Sequence, residues 1–286
     1  MRAVPDQENG HRESEPGLGQ VLSERLGHRT SRLFTRPNFE LLIELVRTEF
    51  KTSDQGTILG AMWSLLGPVA ALAVMHLVFH RNFGSAIPAY PLYLLLGIVV
   101  VGFFRTMTSS MMVMFPGQRN LLINTTVPGL AVFTAQASTN VSRLIAELLL
   151  CAALSVHYGL FSLRTLALLI PLLIGFLALS IGVALILCTA RVFFRDAEHL
   201  WRLASRLLFF GTPVFYALDG LSPWAQSVLY WANPLTPFLL AFRDALMGGG
   251  EAGWPVVAHS LALGGVALVI GYVTFALLEH EAVEIA

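Results

Sequence analysis

The sequence predicts an all-α integral membrane protein with six transmembrane helices, an N-terminal amphipathic interface helix and a re-entrant helical hairpin before the last span. Three observations support this prediction. Of the 286 residues, 55% are hydrophobic and only 13% are charged, whereas a soluble domain has about 25% charged residues. Six apolar runs are long enough to cross about 30 Å of hydrocarbon as helices. Two further apolar segments, 224–232 and 238–245, are too short to do so.

The six long runs are too uniformly apolar for barrel strands, so we expect helices, which satisfy their own backbone polar groups in lipid. The fifth run is the most marginal for a crossing. Before the sixth run, a segment at about 221–247 is interrupted by the sequence Asn233-Pro234-Leu235-Thr236-Pro237, which favours a hairpin that enters the membrane and returns. The predicted spans are about 57–79, 90–114, 131–158, 166–190, 200–217 and 256–278.

The N-terminal part of the chain is expected to lie outside the membrane core. Residues 1–37 are polar and punctuated by Gly and Pro, which predicts a largely disordered tail without a signal peptide. From Asn38, a candidate N-cap, apolar and charged residues follow a helical period. A soluble surface helix is the alternative, but no soluble core follows. The pattern therefore favours an amphipathic interface helix over 38–53, and 38–286 is the predicted transmembrane domain.

The basic residues near the spans predict the orientation. With the N-terminus in the cytoplasm, the outer segments carry only Arg81, Arg164 and Arg243. The inner segments carry Arg47, Lys51, Arg119, Arg191, Arg195 and Arg202. This bias favours a cytoplasmic N-terminus. The C-terminus is then cytoplasmic if the hairpin is re-entrant and external if the hairpin crosses. Because Lys51 is the only Lys among the 18 basic residues, we expect a high-GC bacterial source and thus a bacterial cytoplasmic membrane.

The sequence argues against an enzyme and against a nucleic-acid-binding protein. Acidic residues and histidines are scattered, so no catalytic or metal-ligating cluster is predicted, and Cys151 and Cys188 lie in apolar runs typical of buried cysteines. The net charge is zero, which gives no basic field for nucleic acid. A phosphate-binding loop needs a Gly directly before its Lys, and Lys51 follows Phe50. If ATP drives this protein, another chain must bind it.

Three charged residues lie within the predicted spans. Arg105 is in the second run, and Arg143 and Glu147 are in the third. Each would cost about 2.5–3.5 kcal/mol at mid-membrane, so each is expected to face a partner or water rather than lipid. Arg143 and Glu147 are four residues apart on a helix and can pair; contact with an anionic substrate is the alternative. Arg206, near the start of the fifth run, can extend toward the cytoplasmic headgroups.

Aromatic residues are concentrated around the hairpin. One interpretation is an aromatic belt at the membrane interface. The other is a set of rings that stack on sugars or gate a channel, and the sequence does not separate the two. The channel or gate candidates are Trp63, Phe209, Phe215, Tyr216, Trp224, Tyr230, Trp231, Asn233 and Pro234.

A series of short motifs then suggests a family. After the amphipathic helix come 59–68 (Leu-Gly-Ala-Met-Trp-Ser-Leu-Leu-Gly-Pro), 191–196 (Arg-Val-Phe-Phe-Arg-Asp), 212–216 (Thr-Pro-Val-Phe-Tyr) and 233–237, followed by Phe242-Arg243-Asp244. In this order and at these spacings, from about Phe39 to the C-terminus, the chain resembles the permease subunits of type 2 ABC exporters. Within them it is similar to the branch that exports O-antigen, capsule or teichoic acid.

The resemblance implies two copies of this permease with two copies of a separate ABC ATPase, which binds ATP and Mg²⁺, and a channel between the permeases. It implies that the hairpin is an external gate and that Arg191, Arg195 and Asp196 form a second cytoplasmic turn near the ATPase. A coupling helix would dock into the ATPase at about 116–127, through Gln118, Arg119, Asn120, Leu121, Leu122 and Asn124. The family often has basic residues where Asn124 and Thr125 stand, so electrostatic docking would be weaker here.

The resemblance implies export of a polysaccharide linked to polyprenyl diphosphate, such as an O-antigen-like glycan, or a cell-wall galactan if the source is actinobacterial. Arg side chains suit a diphosphate through forked hydrogen bonds, and Arg47 and Arg195 are the candidates. A drug or lipid exporter is the alternative with the same fold. A membrane-embedded glycosyltransferase or acyltransferase is a third possibility, but it predicts a polar catalytic cluster that the sequence does not contain.

Overall fold

The computed structural model describes residues 43–44, 46–48, 62–84, 87–117, 129–248 and 254–285. Within these ranges the chain is all-helical, without a strand. The longer helices are α1 (Met62–Phe79), α2 (Tyr90–Met112), α3 (Gly129–His157), α4 (Leu163–Phe193), α5 (Ala197–Gly211), α6 (Pro223–Ala232), α7 (Leu235–Met247) and α8 (Trp254–Ile285). A π-helical turn, His80–Gly84, extends α1.

Four of these helices are long and apolar enough to cross a membrane: Tyr90–Met112, Gly129–His157, Ala167–Phe193 and Trp254–Leu278. They correspond to the second, third, fourth and sixth predicted spans. The helices at the first and fifth positions, α1 and α5, have 18 and 15 residues. The structure therefore supports a multi-pass membrane protein with four candidate spans among the described residues, and the predicted count of six stays a prediction.

The fifth predicted span is interrupted earlier than its hydropathy indicates. Helix α5 begins at Ala197, before the expected start, and ends at Gly211, six residues before the expected end at 217. The cause is Pro213, because a residue before proline is pushed out of the helical region. Thr212 is extended, with φ −92° and ψ 135°, and its backbone N–H donates a hydrogen bond to the Leu208 carbonyl. At about 1.5 Å per residue, α5 is roughly 22 Å long.

Much of the predicted cytoplasmic machinery lies outside the described residues. Of the amphipathic helix predicted over 38–53, the five described residues, 43–44 and 46–48, are helical. The tail at 1–37 is outside the described ranges, as are the coupling-helix candidates at 118–124. The segment before them ends in a single described helical turn, Met114–Gly117.

Helix α2 forms the centre of the fold. In its membrane-length segment, 78% of the residues are buried, against 17% in the corresponding segment of α8. It packs against α1, α3, α4, α5 and α7. Its buried apolar side chains include Leu96, Val100, Phe104 and Met107. Neighbouring helices therefore cover most of α2 and leave only a few of its residues exposed.

Helices α4 and α8 pack along a seam of glycines. On α4 the glycines are Gly175 and Gly182, and on α8 they are Gly264 and Gly271. A Cβ atom on Gly264 would come 2.1 Å from the Gly175 carbonyl oxygen, and one on Gly271 would come 2.2 Å from the Gly182 carbonyl oxygen. Small residues allow helix backbones to approach closely in membranes. The seven-residue spacing on both helices repeats this approach two turns along.

Polar side chains also join the helices near one end of the bundle. Trp201 of α5 donates its indole N–H to the Thr108 hydroxyl of α2 at 3.0 Å. Asn140 of α3 donates to the Ser110 hydroxyl of α2 at 3.0 Å. Both contacts lie near the C-terminal end of α2, and they fix α3 and α5 against it.

Candidate functional site

The predicted hairpin consists of two short helices that meet at Asn233. The first, α6, has 10 residues and is capped at its N-terminus by Ser222, whose hydroxyl accepts a hydrogen bond from the Ala225 backbone N–H. The Asn233 side chain then starts the second helix, α7, by accepting from the Leu235 backbone N–H at 3.0 Å. Its amide nitrogen donates to the Thr212 hydroxyl at 2.8 Å. The turn of the hairpin is thus attached to the segment that follows α5.

Arg243 makes the principal polar contacts of α7. Its side chain is only 5% exposed. Nη1 donates to the Pro213 carbonyl at 2.6 Å, and Nη2 donates to the carbonyls of Val214 and Tyr93 at 2.8 and 3.1 Å. The guanidinium carbon lies 3.2 Å from the centroid of the Tyr93 ring, in a cation–π contact. Arg243 therefore joins α7, α2 and the segment after α5.

The structure shows how Arg243 is held, which the sequence does not reveal. It is one of the charges of the predicted outer segments, and the structure places it inside α7, buried and packed against α2. The available signal was its position: the Phe242-Arg243-Asp244 motif lies in an otherwise apolar stretch, where an arginine needs a partner. The sequence does not reveal that the partners are carbonyls, because they lie far away in the chain.

The irregular segment after α5 is tied to α2 at two further points. The Tyr90 hydroxyl donates to the Phe215 carbonyl at 3.1 Å, and the Tyr93 hydroxyl donates to the Tyr216 carbonyl at 2.7 Å. Together with the Arg243 bonds, these contacts provide a donor for each of the carbonyls at 213–216. Residues 212–217 are therefore non-helical without leaving these four carbonyls unsatisfied.

A cavity of about 920 Å³ opens between α6, α7 and the start of α2. Its lining combines aromatic rings with hydrogen-bonding and charged groups: Tyr93, Asp219, Gln226, Tyr230, Trp231, Arg243 and Asp244. Tyr230 and Trp231 pack edge to face, with ring centroids 5.3 Å apart, and Trp231 also contacts His259 of α8 at 5.8 Å. An aromatic surface beside carboxylates and an amide is suited to a ligand with both apolar faces and hydroxyl groups.

The structure brings together only some of the predicted gate residues. Tyr230 and Trp231 line the cavity, and Trp224 lies on the same helix, 76% exposed. Phe215 instead packs inward and stacks on Phe79 of α1, with centroids 4.7 Å apart. Phe209 is also partly buried against the core.

The other predicted gate residues have mixed placements. The Tyr216 hydroxyl donates to the Phe210 carbonyl at 3.2 Å. Asn233 and Pro234 form the turn between α6 and α7. The side chain of Trp63 is outside the described set.

The second predicted cytoplasmic turn connects α4 and α5. Arg191 at the end of α4 pairs with Glu198 at the start of α5, with Nε 3.3 Å from Oε2. Arg195 and Asp196 are exposed between them. Arg47, the other headgroup candidate, is exposed and lies 3.9 Å from Glu44. Partly exposed pairs of this kind contribute about 0–1 kcal/mol each, so they shape these surfaces more than they stabilise the fold.

The charged residues predicted within the spans are not enclosed by the chain. Arg105 is exposed, because α2 turns this side away from its neighbours, and Arg143 and Glu147 are partly exposed on α3. Their surroundings are therefore supplied in part from outside this chain.

Similarity of the sequence to known proteins decides the family. The sequence profile of the "ABC-2 type transporter" family matches residues 40–247, which is most of the chain. The chain belongs to the ABC-2 type transporter family. This match places it among transporter permease subunits and extends from the region of the predicted amphipathic helix to the end of α7.

Individual relatives of this ABC-2 permease agree with the family match. The chain is 26% identical over 247 residues to "O-antigen export system permease protein RfbA" of Myxococcus xanthus, covering 86% of this chain and 94% of that protein. It is 24% identical over 248 residues to the protein of the same name from Klebsiella pneumoniae, covering 86% and 95%. The similarity is thus nearly end to end in the relatives.

Proposed function

We propose that this chain is the permease subunit of an ATP-driven exporter that moves a polyprenyl-diphosphate-linked polysaccharide across the bacterial cytoplasmic membrane. The observation that carries the proposal is the similarity, over 86% of the chain, to permeases named for O-antigen export. The glycan would be O-antigen-like, or a cell-wall galactan in an actinobacterial source. The permease would act in cell-envelope biogenesis.

The proposed topology has six crossings, with both termini in the cytoplasm. Helices α1 and α5 would be the two shorter crossings, and α5 would be completed by the irregular residues 212–217. Non-helical backbone is tolerated at membrane depth only where protein satisfies its polar groups. The side-chain donors from Tyr90, Tyr93 and Arg243 supply that satisfaction.

The hairpin of α6 and α7 would be re-entrant from the outer side. Its helices have 10 and 13 residues, and each is too short to cross about 30 Å of hydrocarbon. The cavity beside them would then lie at the exit of the pathway. Its aromatic and polar lining suits sugars, which present apolar ring faces and hydroxyl groups, better than it suits a purely apolar drug or lipid.

The energy source would be a separate chain. Two copies of an ABC ATPase, binding ATP and Mg²⁺, would work with a homodimer of this permease. Motion of the ATPase would reach the spans through the segment at 118–124 and through the turn between α4 and α5. The Arg191–Glu198 ion pair supports the second contact, because it holds α4 and α5 together where they would meet the ATPase.

The proposal is tested by deleting the gene in its own host and locating the lipid-linked glycan. We expect glycan to accumulate on the cytoplasmic face, where a membrane-impermeant sugar oxidant added to spheroplasts does not reach it. The full chain supplied in trans should restore outward exposure. A glycan that stays fully accessible in the deletion strain would contradict polysaccharide export. Loss of resistance to an expelled drug, with normal glycan exposure, would favour the drug-exporter alternative.

A further inference from the structure

The uncovered side of α2 is polar, which is unusual for a membrane-length helix. All residues of α2 are described, and only Arg105 and Thr106 are exposed. Gly102 and Ser109, which are partly exposed, continue the same stripe one turn before and one turn after them. A face made of arginine, hydroxyl groups and glycine is not the surface that lipid tails require.

The exposed surface of α5 divides into two stripes. One stripe is apolar and consists of Leu200, Leu203, Leu207 and Phe210, each more than half exposed. The other is basic and contains the exposed residues Arg202 and Arg206, four residues apart and thus on one face. The remaining side of α5, which carries Trp201 and Ser205, faces the bundle.

The contacts of Trp201 bring the polar stripe of α2 beside the basic stripe of α5. Trp201 bonds the Thr108 hydroxyl at 3.0 Å, and its ring lies 6.0 Å from that of Phe104. Arg105 directly follows Phe104, and Arg202 directly follows Trp201. Each arginine is therefore displaced by about 100° from the contact between the two helices.

The relative direction of the helices places these arginines on one side of the pair. The start of α5 contacts the end of α2, while Val214, beyond the end of α5, packs on Gly97 in the first half of α2. The two helices are therefore antiparallel. In two antiparallel helices, residues that follow the contact by about 100° of rotation on each helix lie on the same side of the pair. Arg105, Arg202 and Arg206 therefore face a common groove.

These three arginines also lie at a similar depth. Arg105 is about two turns before the end of α2, and Arg202 and Arg206 are about one and a half and two and a half turns after the start of α5. Among the described residues no carboxylate pairs with any of them: Glu198 pairs with Arg191, and Arg202 contacts His199 Nδ1. Three cations in one groove without a counter-ion require an anion or water.

We propose that Arg105, Arg202 and Arg206 form a diphosphate-binding site in the cytoplasmic half of the groove between α2 and α5. The site rests on the proposed export function, for which it would hold the diphosphate of the lipid carrier. Forked guanidinium donors match the oxygens of a diphosphate, and the adjacent apolar stripe of α5 suits the prenyl chain. This site differs from Arg47 and Arg195, which lie in the N-terminal helical segment and at the tip of the α4–α5 turn.

The site is tested by direct binding to the purified full-length chain in nanodiscs of phosphatidylcholine. The probe is farnesyl diphosphate, compared with farnesyl monophosphate, and the readout is the dissociation constant by isothermal titration. The variants are R105Q, R202Q and R206Q, with R81Q as the matched control, because Arg81 is also exposed but lies at the opposite end of the bundle. Size-exclusion profiles and melting temperatures check that each variant is folded.

We expect each of the three Gln variants to weaken farnesyl diphosphate binding about tenfold, and R81Q to leave it unchanged. The corresponding Lys variants should lose less, because they keep the charge and lose only the fork. R47Q and R195Q are measured in the same way. Unchanged binding in R105Q, R202Q and R206Q, or a loss confined to R47Q or R195Q, would overturn the site.

Two further experiments distinguish a specific diphosphate site from a general anion site and from a site without a role in export. If nanodiscs containing phosphatidylglycerol abolish probe binding, the groove is a general site for anionic headgroups and the diphosphate proposal fails. Export is measured in the same host with the same variants. Normal glycan export with intact R105Q, R202Q and R206Q proteins would refute the site and leave the exporter proposal standing. If deletion of the gene leaves glycan exposure unchanged, the exporter proposal is refuted, whether or not farnesyl diphosphate binds.

Discussion

The two arms of the hairpin are alike in composition but differ in how they are held. Helix α7 buries ten of its 13 residues, whereas α6 buries none of its 10. Phe238, Leu239 and Phe242 of α7 are fully covered, while Trp224 and Trp231 of α6 are 76% and 74% exposed. Helix α7 is therefore part of the helix bundle, and α6 is a surface element attached to it.

Besides its buried apolar residues, α7 has a polar anchor in Arg243. Apolar packing alone would leave its guanidinium in a dry site, where an unpaired charge is costly. Three carbonyls and the Tyr93 ring offset much of that cost and fix α7 in place, although the buried Nε has no hydrogen-bond partner among the described residues. Helix α6 has no comparable anchor among its described contacts, and it is held at its ends by the Ser222 cap and the Asn233 turn.

The largest expected effect is that of R243M. Methionine fills a similar volume but leaves the non-helical carbonyls of Pro213 and Val214 without their donor, while the Tyr93 carbonyl keeps its bond within α2. Each orphaned buried group costs about 1–3 kcal/mol, so we expect a loss of about 3 kcal/mol or more in the free energy of unfolding. The measurement is thermal unfolding of the full chain in detergent. R243K should be intermediate, and R81M should match the wild type. A wild-type melting temperature for R243M would remove Arg243 as the anchor.

A smaller loss is expected on the bundle side at the glycine seam. A Cβ on Gly264 would meet the Gly175 backbone, whereas one on its neighbour Gly265 meets nothing within 4 Å. We expect G264A to lower the free energy of unfolding by about 1–3 kcal/mol, as overpacking does, and G265A to have little effect. The same melting assay compares the two variants. Equal losses of unfolding free energy in G264A and G265A would show that α4 and α8 are not in close backbone contact.

The turn between the arms is expected to be less critical. N233A removes the acceptor for the Leu235 backbone N–H and the donor to the Thr212 hydroxyl. We expect a loss of about 1–2 kcal/mol, the usual range for a helix cap with one further hydrogen bond. The check is again thermal unfolding, with S222A as the reference for the weaker cap of α6. A larger effect of S222A than of N233A would reverse the order of the two caps.

The smallest effect on stability is expected in α6 itself. W231A should change the free energy of unfolding by less than about 0.5 kcal/mol, because the side chain is mostly exposed. If the cavity contacts the exported glycan, W231A should nevertheless reduce glycan exposure in the host. W224A is the matched control, since Trp224 is equally exposed on the same helix but does not line the cavity. Equal export by W231A and W224A would argue against a role of the cavity.

The sequence predicted the helical class and the family, but not the difference between the arms. The hydropathy of 224–232 and 238–245 is similar, and hydropathy does not identify which segment packs against α2. The sequence counts Arg243 among the outer-segment charges but does not reveal its carbonyl partners, because these, at 93, 213 and 214, are distant in the chain. These partners come together only after α2, α5 and α7 have packed.

Local chemistry was more informative about helix ends than about helix pairing. Pro213 explains why α5 stops at Gly211, although the apolar run continues to 217. The seven-residue spacing of Gly175 with Gly182 and of Gly264 with Gly271 is visible in the sequence. That α4 and α8 are the helices that meet is not visible, because spacing on one helix does not identify its partner. Likewise, the apolar run containing Arg105 does not indicate which side of α2 stays uncovered.

The most direct test of the account labels single cysteines on the two arms with a membrane-impermeant maleimide. The native Cys151 and Cys188 are free and buried, and both are replaced by Ala so that they add no label after denaturation. We expect S227C on α6 to be labelled when the reagent is added outside intact spheroplasts, and A241C on α7 to be labelled only after denaturation. Equal labelling of the two cysteines in the folded protein, or labelling of S227C only from the cytoplasmic side of inverted vesicles, would contradict it.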